Sequence, residues 1–280
     1  MKITDFAKEH PTAFECEHHS LYRYMPVISP KTKDSRYLKH LLTDGLLHLS
    51  DPSTFNDPFE CRPHFLIEDD NKTMHIEHLV KVARNSAIKK NDTNFNEEKA
   101  FFKAIELVSN PENYQRFISD GLLPAFQSYR ICCFTPSAKD LLFWSLYADS
   151  HKGICIEFDS TYPPMNSARK VKYTDKYPAP IYPFTSDAAS VVPVLTKSKQ
   201  WEREEEFRIA TLKHNPLIQS GSSSVALEKG SLKSVILGAC ISDEDKETAI
   251  AIARASKFNP KIFQTKLSET KFELDFDEIK

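Results

Sequence analysis

Nine short stretches rich in apolar, aromatic and β-branched residues predict strands: 21–25, 46–50, 130–134, 153–158, 170–173, 207–212, 231–237, 262–267 and 272–276. Apolar and polar positions alternate with period two most clearly over 207–212, where a strand shows successive side chains to opposite faces. Residues 72–128 carry the helical period instead, with pairs such as Leu79-Val80 and Phe101-Phe102, and predict three helices. A short helix is predicted over 35–42, with Gly45 near its C-terminal cap. Another is predicted over 243–257, with Ser242 as N-cap ahead of an acidic first turn. Residues 140–148 are helical with two competing faces, Leu141/Trp144/Ala148 and Leu142/Ser145/Leu146. The proline-rich stretch 163–183 predicts an ordered loop, and 51–60 (DPSTFNDPFE) a turn. The strands are too irregularly spaced for a doubly wound sheet. The expected fold is α+β: a mixed, mainly antiparallel sheet core in one domain over 1–280, with a helical insertion over 70–128.

At 280 residues, with 40% hydrophobic and 27% charged, the chain has the composition of a soluble globular protein with a sizeable core. Its formal net charge of −2 excludes a global basic field for nucleic acid. The first residues carry no apolar signal region, and the longest apolar run, 235–241, is far too short for a bilayer span. The six cysteines have neither CxxC nor framework spacing. Buried reduced thiols, a cytoplasmic location and no membrane partner are therefore expected.

The densest charge cluster, Trp201-Glu202-Arg203-Glu204-Glu205-Glu206-Phe207-Arg208, runs straight into an alternating strand. Read as one continuous strand, it places Glu204, Glu206 and Arg208 on one face and Glu205, Phe207 and Ile209 on the other. Two carboxylates roughly 7 Å apart on one face are costly unless water, a cation or a substrate hydroxyl offsets them. One of the two is expected to have a raised pKa unless Arg203 or Arg208 pairs with it. Polar groups in other strands or rigid turns, Arg23 and Asn56 among them, are expected to join the two carboxylates in a cleft.

Five blocks stand in order along the chain: LYRY at 21–24, LSDPSTFNDPFE at 49–60, CFT at 133–135, WSLYADSHKGICIEFD at 144–159 and the 201–208 segment. In these the chain resembles a widespread bacterial family of unknown function. The match leaves out the helical region.

The order of a strand Arg, a later strand Ser/Thr and a Glu-x-Glu also resembles the arginine–serine–glutamate pattern of ADP-ribosyltransferases. That resemblance implies NAD as substrate, with Arg23 on its phosphates and Thr135 or Ser137 shaping the nicotinamide pocket. It further implies that Glu206 binds the ribose hydroxyl beside the scissile bond and that Glu204 orients the acceptor, a protein, a nucleic acid or water. Tyr24, Asn56, Trp144, Tyr147 and Arg208 complete the expected nucleotide-binding set. A toxin or phage-defence effector role follows from the family impression. The middle motif, Cys-Phe-Thr-Pro-Ser, departs from the Ser-Thr-Ser of that superfamily.

Other readings stay open. Glu204 and Glu206 with Asp57 or Glu60 offer hard oxygen ligands for a metal-dependent nuclease, with Lys197 or Lys199 on the phosphate. Cys16, His18, His19, Cys61 and His64 offer zinc ligands, at spacings that fit no common finger. His151 is a general base or a helix cap. A non-catalytic sensing module would use the same cleft without chemistry.

Overall fold

Two sheets share one apolar layer. The computed structural model describes residues 3–29, 33–67, 71–184, 190–219 and 222–280; Asp70, the first residue of the predicted helical stretch, lies outside them. After a short helix α1 (Ile3–Glu9), strand β1 (Ser20–Met25) starts the larger sheet. Helix α2 (Arg36–Lys39) continues as a wider π-type turn through Asp44 and ends on Gly45 at φ 72°, the left-handed cap expected there. Strands β2 (Leu46–His48) and β3 (Leu66–Ile67) flank the 51–60 turn.

Three helices follow: α3 (Lys72–Lys89), α4 (Glu97–Val108) and α5 (Pro111–Gln127). Each opens on an asparagine, Asn71, Asn96 or Asn110, whose side chain accepts from a backbone N–H of the first turn. Their buried residues, such as Leu79, Val108, Tyr114 and Ile118, form one cluster with Phe65, Ile131, Tyr182 and Val194.

Strand β4 (Tyr129–Phe134), helix α6 (Leu141–Tyr147) and strand β5 (Ile154–Asp159) come next. Strands β6 (Arg169–Lys170), β7 (Lys172–Thr174), β8 (Ile181–Tyr182) and β9 (Thr196–Ser198) are short. The chain closes with β10 (Phe207–Leu212), β11 (Ser224–Ala226), β12 (Leu232–Leu237), α7 (Asp243–Arg254), β13 (Lys261–Leu267) and β14 (Leu274–Ile279).

The larger sheet has the order β1-β5-β12-β13-β14, antiparallel except for β12–β13; the second has the order β4-β10-β6, all antiparallel. Period two then decides what each face meets. Ile154, Ile156 and Phe158 of β5 share a core with Cys132 and Phe134 of β4 and Phe207 and Ile209 of β10. Cys155, on the reverse face of β5, packs in a separate cluster with Trp144 and Ala148. Arg208 and Cys133, directly paired across β10 and β4, sit on the reverse face of the second sheet. The fold is α+β with a mostly antiparallel mixed sheet.

Three predicted elements change, and one open choice is decided. The stretch 170–173 is two strands, because Lys170 pairs with β10 while Lys172–Thr174 pairs with β9. The 163–183 loop contains β6, β7 and β8. The last strand begins at Leu274, and Phe272 is fully exposed before it. Helix α6 buries Trp144 and Ala148, leaving Leu142 and Leu146 exposed, so the Trp144 face wins. Among the described residues no helix is long and apolar enough to cross a membrane.

Candidate active site

A cleft of about 400 Å³ opens where β1 meets the end of β4. The two strands exchange backbone bonds there: Tyr22 N–H donates to Thr135 O at 2.8 Å and Thr135 N–H to Tyr22 O at 3.0 Å. Arg23, Tyr24, Asn56, Thr135, Tyr147, Glu204, Glu206 and Arg208, all candidates from the sequence, line it. They come from five separate segments of the chain. Arg23, Asn56, Glu204 and Glu206 therefore share one cleft, as expected.

Ser137 and Trp144 do not line it. Ser137 serves the backbone: its carbonyl accepts from Tyr24 Oη at 3.0 Å and its hydroxyl accepts from Lys139 N–H. Trp144 has no solvent exposure; its indole N–H donates to Ala138 O, and its ring meets Tyr24 edge-on. A large ring on the inner face of a short helix fills the core. His151 adopts φ 66° and donates its N–H to Trp144 O, closing the turn after the same helix, and it does not line the cleft.

The floor of the cleft is a buried charge cluster. Residues 199–204 form a 3₁₀ helix rather than a strand, and Glu205 ends it in the left-handed region at φ 45°. That kink turns Glu205 outward and brings Glu204 and Glu206 to a single ammonium. Lys197 Nζ lies 2.6 Å from Glu204 Oε2, 3.2 Å from Glu206 Oε2 and 3.0 Å from Glu60 Oε1. Arg208 grips Glu206 bidentately, with Nε to Oε1 at 2.6 Å and Nη2 to Oε2 at 3.0 Å; Nη2 also donates to Glu60 Oε2 at 2.7 Å. Val194 O takes Arg208 Nη1 at 2.8 Å. Tyr147 Oη donates to Glu204 Oε1 at 2.7 Å, and Glu206 N–H donates to Tyr173 Oη at 2.9 Å. Aromatic faces cover both cations: Trp201 lies over Lys197 and Phe55 over Arg208.

With all three carboxylates ionised, three against two cations leave one net negative charge in a nearly buried site. Burial alone would raise the Glu206 pKa, but the Arg208 guanidinium and then the Lys197 ammonium outweigh it and hold the group at about 2. The arginine pairing that was to decide between a raised and a normal value is present. Burial pushes Glu60 the other way, upward, against the pull of Arg208 and with added repulsion from Glu206. Lys197 is raised because Glu206 and Glu60 overcome the burial that would lower it. Burial, then the bond to Glu204, raises the Tyr147 phenol.

Glu206, which the ADP-ribosyltransferase resemblance places on the ribose hydroxyl, has both its oxygens on cations. Glu204, equally buried, holds Lys197 on one oxygen and the half-exposed Tyr147 on the other. Lys197 and Glu60 enter as hub and partner of an ion network rather than as phosphate partner and metal ligand. Their signal in sequence was only a lysine outside every predicted element and a glutamate closing a rigid turn. Tyr22, Cys133 and Phe143 also line the cleft, and Tyr173 supports it from behind. Among the described residues no group of three or more His, Cys, Asp or Glu is disposed to hold a metal ion. Where Glu60, Glu204 and Glu206 converge, the Lys197 ammonium already stands.

Comparison with protein-family models, with curated proteins and with solved structures gives no match to this chain.

Proposed function

We propose that the cleft binds NAD or a close relative and cleaves its nicotinamide–ribose bond, passing the ADP-ribosyl group to water or another acceptor. The observation that carries this reading is the charge pattern. A floor holding three carboxylates and two cations lies under aromatic walls from Tyr22, Phe143 and Tyr147, which suits a flat cationic pyridinium ring. Arg23 lines the same cleft and makes no salt bridge among the described residues, which suits a phosphate. The ADP-ribosyltransferase resemblance supports the same assignment.

On this reading the C–N bond breaks with its electron pair leaving on nicotinamide nitrogen. The oxocarbenium-like charge developing on the ribose is stabilised by the carboxylate-rich floor. Glu204 accepts the proton of the attacking hydroxyl, and Tyr147 and Lys197 hold its two oxygens in place. Glu206 supplies field from behind.

The test is nicotinamide release by the purified protein, with melting temperatures measured in parallel. NAD is expected to raise the melting temperature and be cleaved, and Glu204→Gln to abolish cleavage without unfolding the protein. No stabilisation and no release would end the assignment. The full occupation of Glu206 by Arg208 and Lys197 favours a second reading, a binding module whose ion cluster is structural. Stabilisation by NAD with no turnover would select it.

A further inference from the structure

A second cavity, of about 500 Å³, adjoins the first, and the two share Arg23, Ser50 and Thr54 along their border. We infer that this cavity is a base-binding lobe, so that the site takes a two-base ligand, a dinucleotide, with its phosphates on Arg23. The inference rests on the reading of the first cleft as a nucleotide site and fixes the size of the ligand.

The chemistry of the second lobe differs from that of the first. Its lining mixes aliphatic side chains, with Val27, Leu41, Leu47 and Leu49 buried, and polar ones. Tyr37 and His48 form an aromatic pair at its wall, with ring centroids 5.1 Å apart. The Asp51 carboxylate is taken up by Arg130 at 3.2 Å. A slot that combines aliphatic side chains, aromatic rings and polar edges binds a planar heterocycle by stacking and edge hydrogen bonds. The first lobe, with its anionic floor, repels phosphate. Beyond the shared Arg23, the second offers phosphate no unpaired cation among the described residues, since Arg130 is held by Asp51.

Arg23 stands between them. Its Nη1 donates to His48 O at 3.0 Å and to Cys132 Sγ, which anchors the side chain. Nε and Nη2 make no hydrogen bond among the described residues. A half-buried guanidinium, anchored at one nitrogen and open at the others, is a preorganised phosphate seat. A mononucleotide would fill one lobe and reach Arg23. A dinucleotide fills both and places its linking phosphates at the border.

The experiment measures dissociation constants of NAD, AMP, nicotinamide mononucleotide and pyrophosphate for the full chain and for Tyr37→Ala, with Tyr37→Phe as the folding and stacking control. The lobe predicts that NAD binds more tightly than either mononucleotide. Tyr37→Ala should weaken NAD and AMP about tenfold, the loss of one base–aromatic stack, and leave nicotinamide mononucleotide and pyrophosphate unchanged. Tyr37→Phe should restore both. NAD binding that ignores Tyr37→Ala, or equals nicotinamide mononucleotide binding, overturns the second lobe and leaves the first reading intact. Tyr37-dependent dinucleotide binding without nicotinamide release keeps the lobe and removes the proposed reaction. No binding of any nucleotide sinks both.

Discussion

Arg208 and Glu206 lie two residues apart at the start of β10 and are joined by two hydrogen bonds, 2.6 and 3.0 Å, with no exposure of the guanidinium side chain. A charge this deep is tolerable only while its partner stays. Arg208 also holds Glu60, so it ties the 51–60 turn to the second sheet. The ion cluster is thus part of the framework as well as the floor of the cleft.

The two ends of that bond are predicted to respond unequally. Arg208→Met leaves Glu60 and Glu206 facing Lys197 alone and should cost about 3–5 kcal/mol, the range for breaking a buried pair. Glu206→Gln leaves two carboxylates against two cations and keeps an acceptor for Arg208; it should cost about 1–3 kcal/mol. Urea unfolding of both variants checks the order. A larger loss in Glu206→Gln would contradict the balance of charges drawn from the geometry.

Acid should act through the same residue. The Glu206 carboxyl sits at about 2 in the folded chain against an ordinary 4.5. A depressed folded value means stability fully present above 4.5 and lost as pH falls toward 2. A shift of that size is worth on the order of 3 kcal/mol. Glu60 has the opposite sign: its raised value makes ionised Glu60 a cost that protonation relieves. Wild type should therefore lose stability between pH 4.5 and 2 more steeply than Glu206→Gln, measured as urea midpoints across that range. Parallel curves would show that Glu206 is not the linked group.

Local pattern carried much of this in the sequence. The alternation of Phe207 and Ile209 placed Glu206 and Arg208 on the reverse face of β10, and the Asn-Asp-Pro turn gave the rigid loop. What failed was the extension of that alternation back through Glu204. A left-handed Glu205 is a local backbone decision that periodicity does not register. Lys197 was invisible as a hub because its three carboxylates come from positions up to 137 residues away, brought together by pairings that only the fold determines. Trp144 shows the reverse case: a motif residue that packs the core and does not touch the cleft.

Tyr147→Phe isolates the Glu204 carboxylate. It removes the 2.7 Å bond to Glu204 Oε1 and little packing volume. Stability should fall by no more than about 1.5 kcal/mol. On the proposed reaction, nicotinamide release should fall roughly 10–100-fold at unchanged NAD affinity, because the lost bond positions the proton acceptor rather than the substrate. Equal rates in wild type and Tyr147→Phe would remove Tyr147 from the mechanism.

Two glycines should give opposite signs on stability. Gly121 lies exposed inside α5, and a Cβ added there meets nothing within 4 Å. Gly121→Ala restores helix propensity and should stabilise by about 0.5–1 kcal/mol. Gly238 follows β12 and donates its N–H to Gly153 O at 2.9 Å. A Cβ there would lie 2.1 Å from His151 O and 2.8 Å from Gly153 O, both backbone atoms that no rotamer change can move. Gly238→Ala must therefore displace the 149–153 turn, whose residues Asp149, Ser150 and His151 all have positive φ and close α6. Since α6 carries Tyr147 into the cleft, the loss of stability should come with a loss of any nucleotide binding. Urea midpoints and NAD dissociation constants for the two variants decide it. A Gly238→Ala protein as stable as wild type would mean that this turn yields without disturbing its neighbours.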